Sequence, residues 1–134
     1  MRIRSKMMVT KRVFTSFAIE DRGLRDLLVG QRLHTDTPFE WTDMSVKTPW
    51  DEQWKTLCRT RIRGCEGVIG IITHSTPKAS GQLWELKCAF EERKPVLLIY
   101  GYSDKRPSTI PTEISGKAIY NWTWDRIGSF INSL

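Results

Sequence analysis

The chain has 134 residues, a length typical of a single folded domain. Hydrophobic residues make up 40% of it and charged residues 27%, which excludes a disordered, highly charged segment. The formal net charge of +6 would suit nucleic acid, but the basic residues are scattered along the sequence. The densest group, Arg59, Arg61 and Arg63, falls at a predicted helix end, where the helix dipole favours positive charge. We therefore expect a solvated helix face there and no nucleic-acid partner.

The sequence carries no signal for a membrane or an export pathway. No apolar run approaches the ~20 residues that a transmembrane helix needs, and no long apolar stretch follows the basic first residues. The three cysteines, Cys58, Cys65 and Cys88, have neither zinc-ligand nor CxxC spacing. We expect buried, reduced thiols, no metal site, no membrane partner and a cytoplasmic location.

The first half of the chain predicts two strands and two helices. Residues 13–18 are rich in β-branched and aromatic side chains and predict a strand, after which a helix begins near Glu20. Residues 39–43 predict a short second strand. A second helix begins near Asp51, and Gly64 is its predicted C-cap. The residues expected on the buried faces of the two helices are Leu24, Leu27, Leu28, Trp54, Leu57, Cys58 and Ile62.

The second half predicts three strands and two helices. Residues 67–73 are apolar without alternation, which is typical of a central parallel strand covered on both faces. Ser80 is the predicted cap of the next helix. Residues 95–100 predict another continuous apolar strand, and a loop with two prolines leads to a short strand at 118–120. A closing helix begins at Thr123.

Strands that alternate with helices predict a parallel sheet with helices on both faces. The expected fold is α/β, a flavodoxin-like three-layer sandwich with a five-stranded parallel sheet in the order 2-1-3-4-5. We expect one domain over residues 1–134, with residues 1–10 as an N-terminal extension. Ligand sites in this fold lie at the carboxyl ends of the strands.

One acidic residue near that edge is a candidate for catalysis. Glu85 falls in the first two turns of the helix that starts near Ser80, beside Trp84 and within an apolar stretch. A carboxylate held there can be partly desolvated, and its pKa can then shift. The alternative role is an acid that complements the helix dipole. The sequence contains no GxGxxG, Walker or GxSxG motif.

Several stretches resemble TIR domains. VFTSF at 13–17 is similar to the opening strand of that family, and SGQLWEL at 80–86 is similar to the helix that carries its catalytic glutamate. FEWTDMSV at 39–46, GCEGVI at 64–69 and WTWD at 122–125 resemble the TIR-like signalling subunits of the Thoeris antiphage defence system, the ThsB family. The resemblance covers nearly the whole chain.

The resemblance implies an NAD-cleaving enzyme that is triggered by a phage component. Such proteins self-associate through their TIR domains, release nicotinamide and convert NAD to a cyclic ADP-ribose-type messenger. The messenger activates a separate, ThsA-like effector. NAD is then the substrate, and no cofactor is implied. Glu85 is the implied catalytic residue, which engages the ribose on the nicotinamide side.

The residues predicted to contact NAD surround Glu85 or follow the first two strands. An aromatic face can stack on nicotinamide, and a cation can meet the pyrophosphate. The predicted contacts are Phe17, Ala18, Ile19, Arg22, Ser45, Lys47 and Trp84. One departure from the family concerns stacking: the family's tryptophan lies one turn before the glutamate, where this chain has Gly81. Trp84 is adjacent to Glu85 and points about 100° away around the helix.

Two other functions remain open from the sequence. A TIR-like scaffold would act by oligomerisation alone and would be indifferent to a Glu85→Gln substitution. A deoxyribosyltransferase-like enzyme would use a catalytic glutamate on a related sheet to exchange bases on free nucleosides, and it would not act on NAD.

Overall fold

The computed structural model describes residues 10–31, 38–44 and 51–134. In these ranges the strands are β1 (Lys11–Phe17), β2 (Phe39–Thr42), β3 (Gly67–Ile72), β4 (Val96–Tyr100) and β5 (Ile119–Tyr120). The helices are α1 (Arg22–Gln31), α2 (Glu52–Arg63), α3 (Ser80–Glu91) and α4 (Trp124–Asn132). Short 3₁₀ turns lie at Ile19–Asp21, Thr76–Lys78 and Thr112–Ile114.

The five strands form one parallel sheet in the order β2-β1-β3-β4-β5. This confirms the predicted α/β, flavodoxin-like fold. Phe17 pairs with Ile71, and Ile72 pairs with Tyr100, so the carboxyl ends of β1, β3 and β4 lie on one edge of the sheet. The loops that leave this edge are the ones that can build a site.

Helices cover both faces of the sheet and enclose two apolar cores. The first core lies under α2 and α3 and includes Phe14, Trp54, Cys58, Ile62, Val68, Ile72, Leu86 and Leu98. The second lies under α1 and α4 and includes Val13, Phe17, Leu28, Ile69, Ile71, Ile99, Ile127 and Ile131. Successive residues of a strand point to opposite faces, so β1 and β3 contribute to both cores.

The central strand β3 is buried at all six positions, as its unbroken apolar sequence predicts. Gly70 in its middle allows α3 to approach closely. A Cβ atom there would lie 2.9 Å from a methyl carbon of Leu98 and 3.0 Å from one of Leu86. A larger residue at this position would require the Leu98 and Leu86 methyl groups to move.

The predicted helix starts are partly wrong. Asp51 and Thr123 cap α2 and α4, each accepting a hydrogen bond from a backbone N–H three residues later. The prediction that Ser80 caps α3 is wrong, because Ser80 is the first helical residue and Ala79 precedes it without a side-chain cap. The chain enters α3 from the turn Thr76–Lys78, so no extended residue is placed to cap it.

Two leucines predicted to face the core are exposed. Leu27 of α1 is 48% exposed and Leu57 of α2 is 46% exposed. Their neighbours Leu28 and Cys58 are buried as predicted. Because adjacent helical residues point about 100° apart, Leu27 and Leu57 cannot share that buried face. The start of α1 also differs from prediction, since the acids near Glu20 belong to a 3₁₀ turn that precedes the helix.

The arginines at the end of α2 are not simply solvated, contrary to the prediction. Arg59 and Arg63 both donate to the carboxylate of Glu92 at the end of α3, at 2.5 Å and 2.8 Å. Arg61 donates to the backbone oxygen of Asp43 at 2.7 Å. These contacts tie α2 to α3 and to the segment after β2, so the cluster has a structural function.

The cysteine prediction is confirmed, since Cys58, Cys65 and Cys88 are free and buried. Across the described ranges, no three His, Cys, Asp or Glu side chains come together as a metal site would require. None of the helices in these ranges has both the length and the apolar character needed to cross a bilayer.

Candidate functional site

Glu85 lies in the second turn of α3, and its carboxyl group faces β1. The hydroxyl of Ser16 donates to Glu85 Oε1 at 2.7 Å. Ser16 is the last residue but one of β1, so the pair stands at the carboxyl edge of the sheet. The turn after β3 brings the first residues of α3 back over this edge, which explains how residues 69 positions apart meet.

Glu85 is buried, with 7% of the residue exposed. Burial raises its pKa from the ordinary 4.5 to about 8, the Ser16 hydrogen bond lowers the pKa in part, and the charge of Asp43 raises it. The neutral acid therefore predominates in the folded protein at pH 7. A group with a pKa near 8 responds strongly to any cation placed beside it.

Gln82 holds α3 against the strands one turn before Glu85. Its side-chain amide donates to the backbone oxygen of Ile71 at 2.8 Å and to that of Ser16 at 3.2 Å. Those two oxygens belong to the ends of β3 and β1, and the glutamine is buried. Sequence reasoning missed Gln82 and Ser16. The sequence did contain one indication of Gln82, since it is a polar residue three positions before Glu85 on the same face of the helix.

A buried ion pair lies where β1 and β2 end. Arg25 of α1 pairs with Asp43, which directly follows β2. The Arg25 guanidinium lies 5.1 Å from the ring centre of Phe17 and 5.1 Å from that of Trp41. Arg25 and Asp43 were also missed, because their contact depends on how α1 packs beside the sheet. The ion pair fixes a carboxylate that contributes to the raised pKa of Glu85.

The two aromatic residues predicted to stack on nicotinamide do not lie together with Glu85. Phe17 is buried in the second core, on the face of the sheet opposite to Ser16. Trp84 packs edge-on against Trp54, with ring centres 5.4 Å apart, and the Arg59 guanidinium lies 5.6 Å from its ring centre. Trp84 thus faces α2, in agreement with its predicted rotation away from Glu85.

The other predicted contacts follow β1 or lie outside the described ranges. Ala18 is buried, while Ile19 is 49% exposed and Arg22 is exposed. Ile19 and Arg22 are therefore accessible to a ligand at the carboxyl edge. Ser45 and Lys47 lie outside the described residues.

Hydrogen bonds join the loops that follow β1 and β3. The hydroxyl of Thr73 donates to the buried carboxylate of Asp21 and accepts from the backbone N–H of Ser75 at 3.0 Å. The backbone N–H of Thr73 donates to the hydroxyl of Thr76 at 2.9 Å. These bonds fix the path of the chain into α3, and so they fix where Glu85 stands.

Fold and site together define a class: a flavodoxin-like α/β domain with a buried carboxyl group at the carboxyl edge of its sheet. Neither the protein-family models nor the curated protein sequences contain a match to the chain. What the site can do chemically follows from its geometry. A carboxyl group with a pKa of about 8, hydrogen-bonded by one hydroxyl, can stabilise positive charge that develops beside it.

Proposed function

We propose that the protein cleaves the bond between nicotinamide and ribose in NAD, with Glu85 as its catalytic carboxylate. We further propose that it joins the ribose to another atom of the same molecule, giving a cyclic ADP-ribose-type messenger that activates an antiphage effector. The observation that carries the proposal is the buried Glu85 carboxyl group, held by Ser16 at the carboxyl edge of the sheet. The TIR resemblance of the sequence assigns the same residue.

The chemistry suits a single carboxylate. When the C1′–N bond breaks, its electron pair goes to the nicotinamide nitrogen, and positive charge develops on the ribose. A carboxylate in a water-poor site stabilises that charge. Nicotinamide leaves as a neutral molecule, so no general acid is needed. A hydroxyl or an adenine nitrogen of the same molecule then bonds to C1′ and loses its proton if it carries one, which closes the ring by proximity.

The raised pKa couples ionisation of Glu85 to substrate binding. The nicotinamide ring of NAD is cationic, and an opposite charge nearby favours the ionised carboxylate. The proton of Glu85 is then released as NAD binds. The hydrogen bond from Ser16 holds one carboxylate oxygen and leaves the other to face the ribose. Arg22 is exposed at the same edge, and we assign to it the contact with the pyrophosphate.

Burial of Glu85 also implies a gating step. A ribose cannot reach the carboxyl group of a residue that is only 7% exposed until the side chains around it move. We propose that a phage component, acting through self-association of the domain, stabilises an open form. A ligand shifts such an equilibrium only by binding the open form more tightly than the closed one.

The test is mass spectrometry of small molecules from phage-infected cells that express the wild type, Glu85→Gln or Glu91→Gln. Glu91 lies on the same helix but its carboxylate is exposed, so this substitution is the matched control. We expect nicotinamide and a species of cyclic ADP-ribose mass in the wild type and in the control, and neither in Glu85→Gln. If folded wild type gives no product, or if Glu85→Gln gives as much as the wild type, the enzymatic function is wrong and a scaffold remains.

A further inference from the structure

A second concave surface lies on the same edge of the sheet, away from Glu85. An open groove of about 470 Å³ is formed where β4 and β5 end, beside the first turn of α4. Its lining includes Tyr100, Arg106, Tyr120, Asn121 and Arg126. Two strands, β3 and β4, separate β5 from β1 and its Ser16–Glu85 pair. The groove is therefore distinct from the site proposed above.

Both arginines of the groove are held in place by aromatic rings. The Arg106 guanidinium lies 4.0 Å from the ring centre of Tyr100, and the Arg126 guanidinium lies 3.8 Å from that of Tyr120. Arg106 also donates to the side-chain oxygen of Asn121 at 3.2 Å. Stacking and this hydrogen bond restrict both side chains before any ligand arrives, which reduces the entropy lost on binding.

The groove arginines differ from most other arginines of the described chain in having no acidic partner. Arg12, Arg25, Arg59 and Arg63 each lie within 4.0 Å of a carboxylate oxygen. Across the described ranges, no carboxylate lies that close to Arg106 or Arg126, although Asp125 is the next residue to Arg126 in the sequence. Two like charges therefore line one groove without a neutralising carboxylate.

We propose that this groove binds the phosphate groups of a small phosphorylated molecule, of the diphosphate class found in nucleotides. A planar guanidinium offers two parallel N–H donors that match two phosphate oxygens, so a diphosphate can engage both arginines. Both guanidiniums line the same groove, so an anion bound there would be attracted by both positive charges. The site does not depend on Glu85 or on cleavage of NAD.

The experiment is isothermal titration of the purified protein at physiological salt with pyrophosphate, with ADP and with adenosine. The test variant is Arg106→Gln/Arg126→Gln. The matched control, Lys87→Gln/Arg93→Gln, removes two positive charges from exposed positions on and just after α3. Arg22→Gln reports whether the measured binding occurs instead at the edge near Glu85, where Arg22 is the proposed pyrophosphate contact.

We expect pyrophosphate and ADP to bind and adenosine to bind at least about tenfold more weakly, since the charged hydrogen bonds supply the affinity. The test variant should weaken pyrophosphate binding at least about tenfold, while the matched control Lys87→Gln/Arg93→Gln changes it less than about twofold. Stronger binding of ADP than of pyrophosphate would identify a nucleotide, and equal binding would identify the phosphate groups alone. Both results support the site.

The proposal would be overturned by no binding of pyrophosphate or ADP, by equal loss of affinity in Lys87→Gln/Arg93→Gln, or by loss in Arg22→Gln alone. Tight binding of a single-stranded oligonucleotide without binding of pyrophosphate would also overturn it. If the test variant does not fold, side-chain amide resonances of Asn121 in the wild type decide. They should shift on addition of pyrophosphate, and unchanged resonances would contradict the proposal.

Discussion

At the scale of single residues, the site is set by a carboxyl group that the fold keeps neutral. Glu85 is buried, and its one hydrogen bond among the described residues comes from the uncharged hydroxyl of Ser16. The negative charge of Asp43 raises the pKa of Glu85 further. Ionisation of Glu85 is therefore opposed by burial and by a like charge, and only one hydrogen bond favours it.

This balance predicts that Glu85 destabilises the fold at alkaline pH. The pKa of Glu85 is about 8 in the folded protein, against 4.5 ordinarily. The stability that its neutral form contributes is therefore fully present below pH 4.5 and is lost as pH rises through 8. Relative to Glu85→Gln, the free energy of unfolding of the wild type should fall by a few kcal/mol over that range, at about 1.4 kcal/mol per pKa unit. Urea unfolding at several pH values measures the difference. A difference between the two proteins that stays constant with pH would contradict the raised pKa.

Ser16→Ala should raise the pKa of Glu85 above its present value of about 8, because the hydrogen bond donated by the Ser16 hydroxyl stabilises the ionised carboxylate more than the neutral acid and so lowers that pKa. Carbon-13 NMR of the Glu85 carboxyl group follows the titration directly. Because the proposed cleavage uses the ionised form of Glu85, nicotinamide release should rise with pH, and this rise should shift to higher pH in Ser16→Ala. The matched control is Thr15→Val, the neighbouring position on the opposite face of β1. An unchanged or lowered pKa in Ser16→Ala would show that the hydroxyl does not act on the carboxylate.

Thr15→Val should itself stabilise the protein. The hydroxyl of Thr15 is buried and has no hydrogen-bond partner among the described residues. Valine has nearly the same shape, carries no polar atom and favours strands, so the free energy of unfolding should rise by roughly 1 kcal/mol. Chemical denaturation of the two proteins at pH 7 measures the change. A loss of stability would mean that the hydroxyl has a partner.

At the scale of elements, the ends of α2 and α3 are joined through Glu92. Hydrogen bonds from Arg63 and Arg59 lower the pKa of Glu92 to about 2. A lowered folded pKa gives stability that is present above about 4.5 and is lost as pH falls through 2. Glu92→Gln should therefore flatten the fall in melting temperature between these pH values. Parallel melting profiles for wild type and Glu92→Gln would show that the contact adds no stability.

The same elements show how far the sequence can predict this fold. Periodicity predicted all five strands, because the unbroken apolar run of β3 and the strand–helix alternation are local patterns. It did not predict that Glu92 would bind Arg59 and Arg63, or that Gln82 would bind the ends of β1 and β3. Those partners lie 11 to 66 positions apart, and they meet only through packing of helices on the sheet.

The sequence also predicted only part of the candidate site. Glu85 was identified as the acid near the carboxyl edge, and its pKa shift was expected from burial beside apolar residues. Ser16 was not identified, because the sequence alone does not show which face of the sheet a serine within a strand points to. Phe17 was assigned to NAD, but the alternation of β1 turns its ring to the opposite core.

At the scale of the whole molecule, the proposed enzyme is a closed protein that needs a trigger. Purified wild type should release nicotinamide from NAD slowly, because Glu85 is only 7% exposed and opening of the site costs free energy. Lysate from infected cells should raise the rate well above that with uninfected lysate, for the wild type and for Glu91→Gln but not for Glu85→Gln. The measurement is nicotinamide released per protomer at fixed protein concentration. Equal rates in buffer and in both lysates would mean that the site opens by itself, so the gating step would be wrong even if cleavage by Glu85 were right.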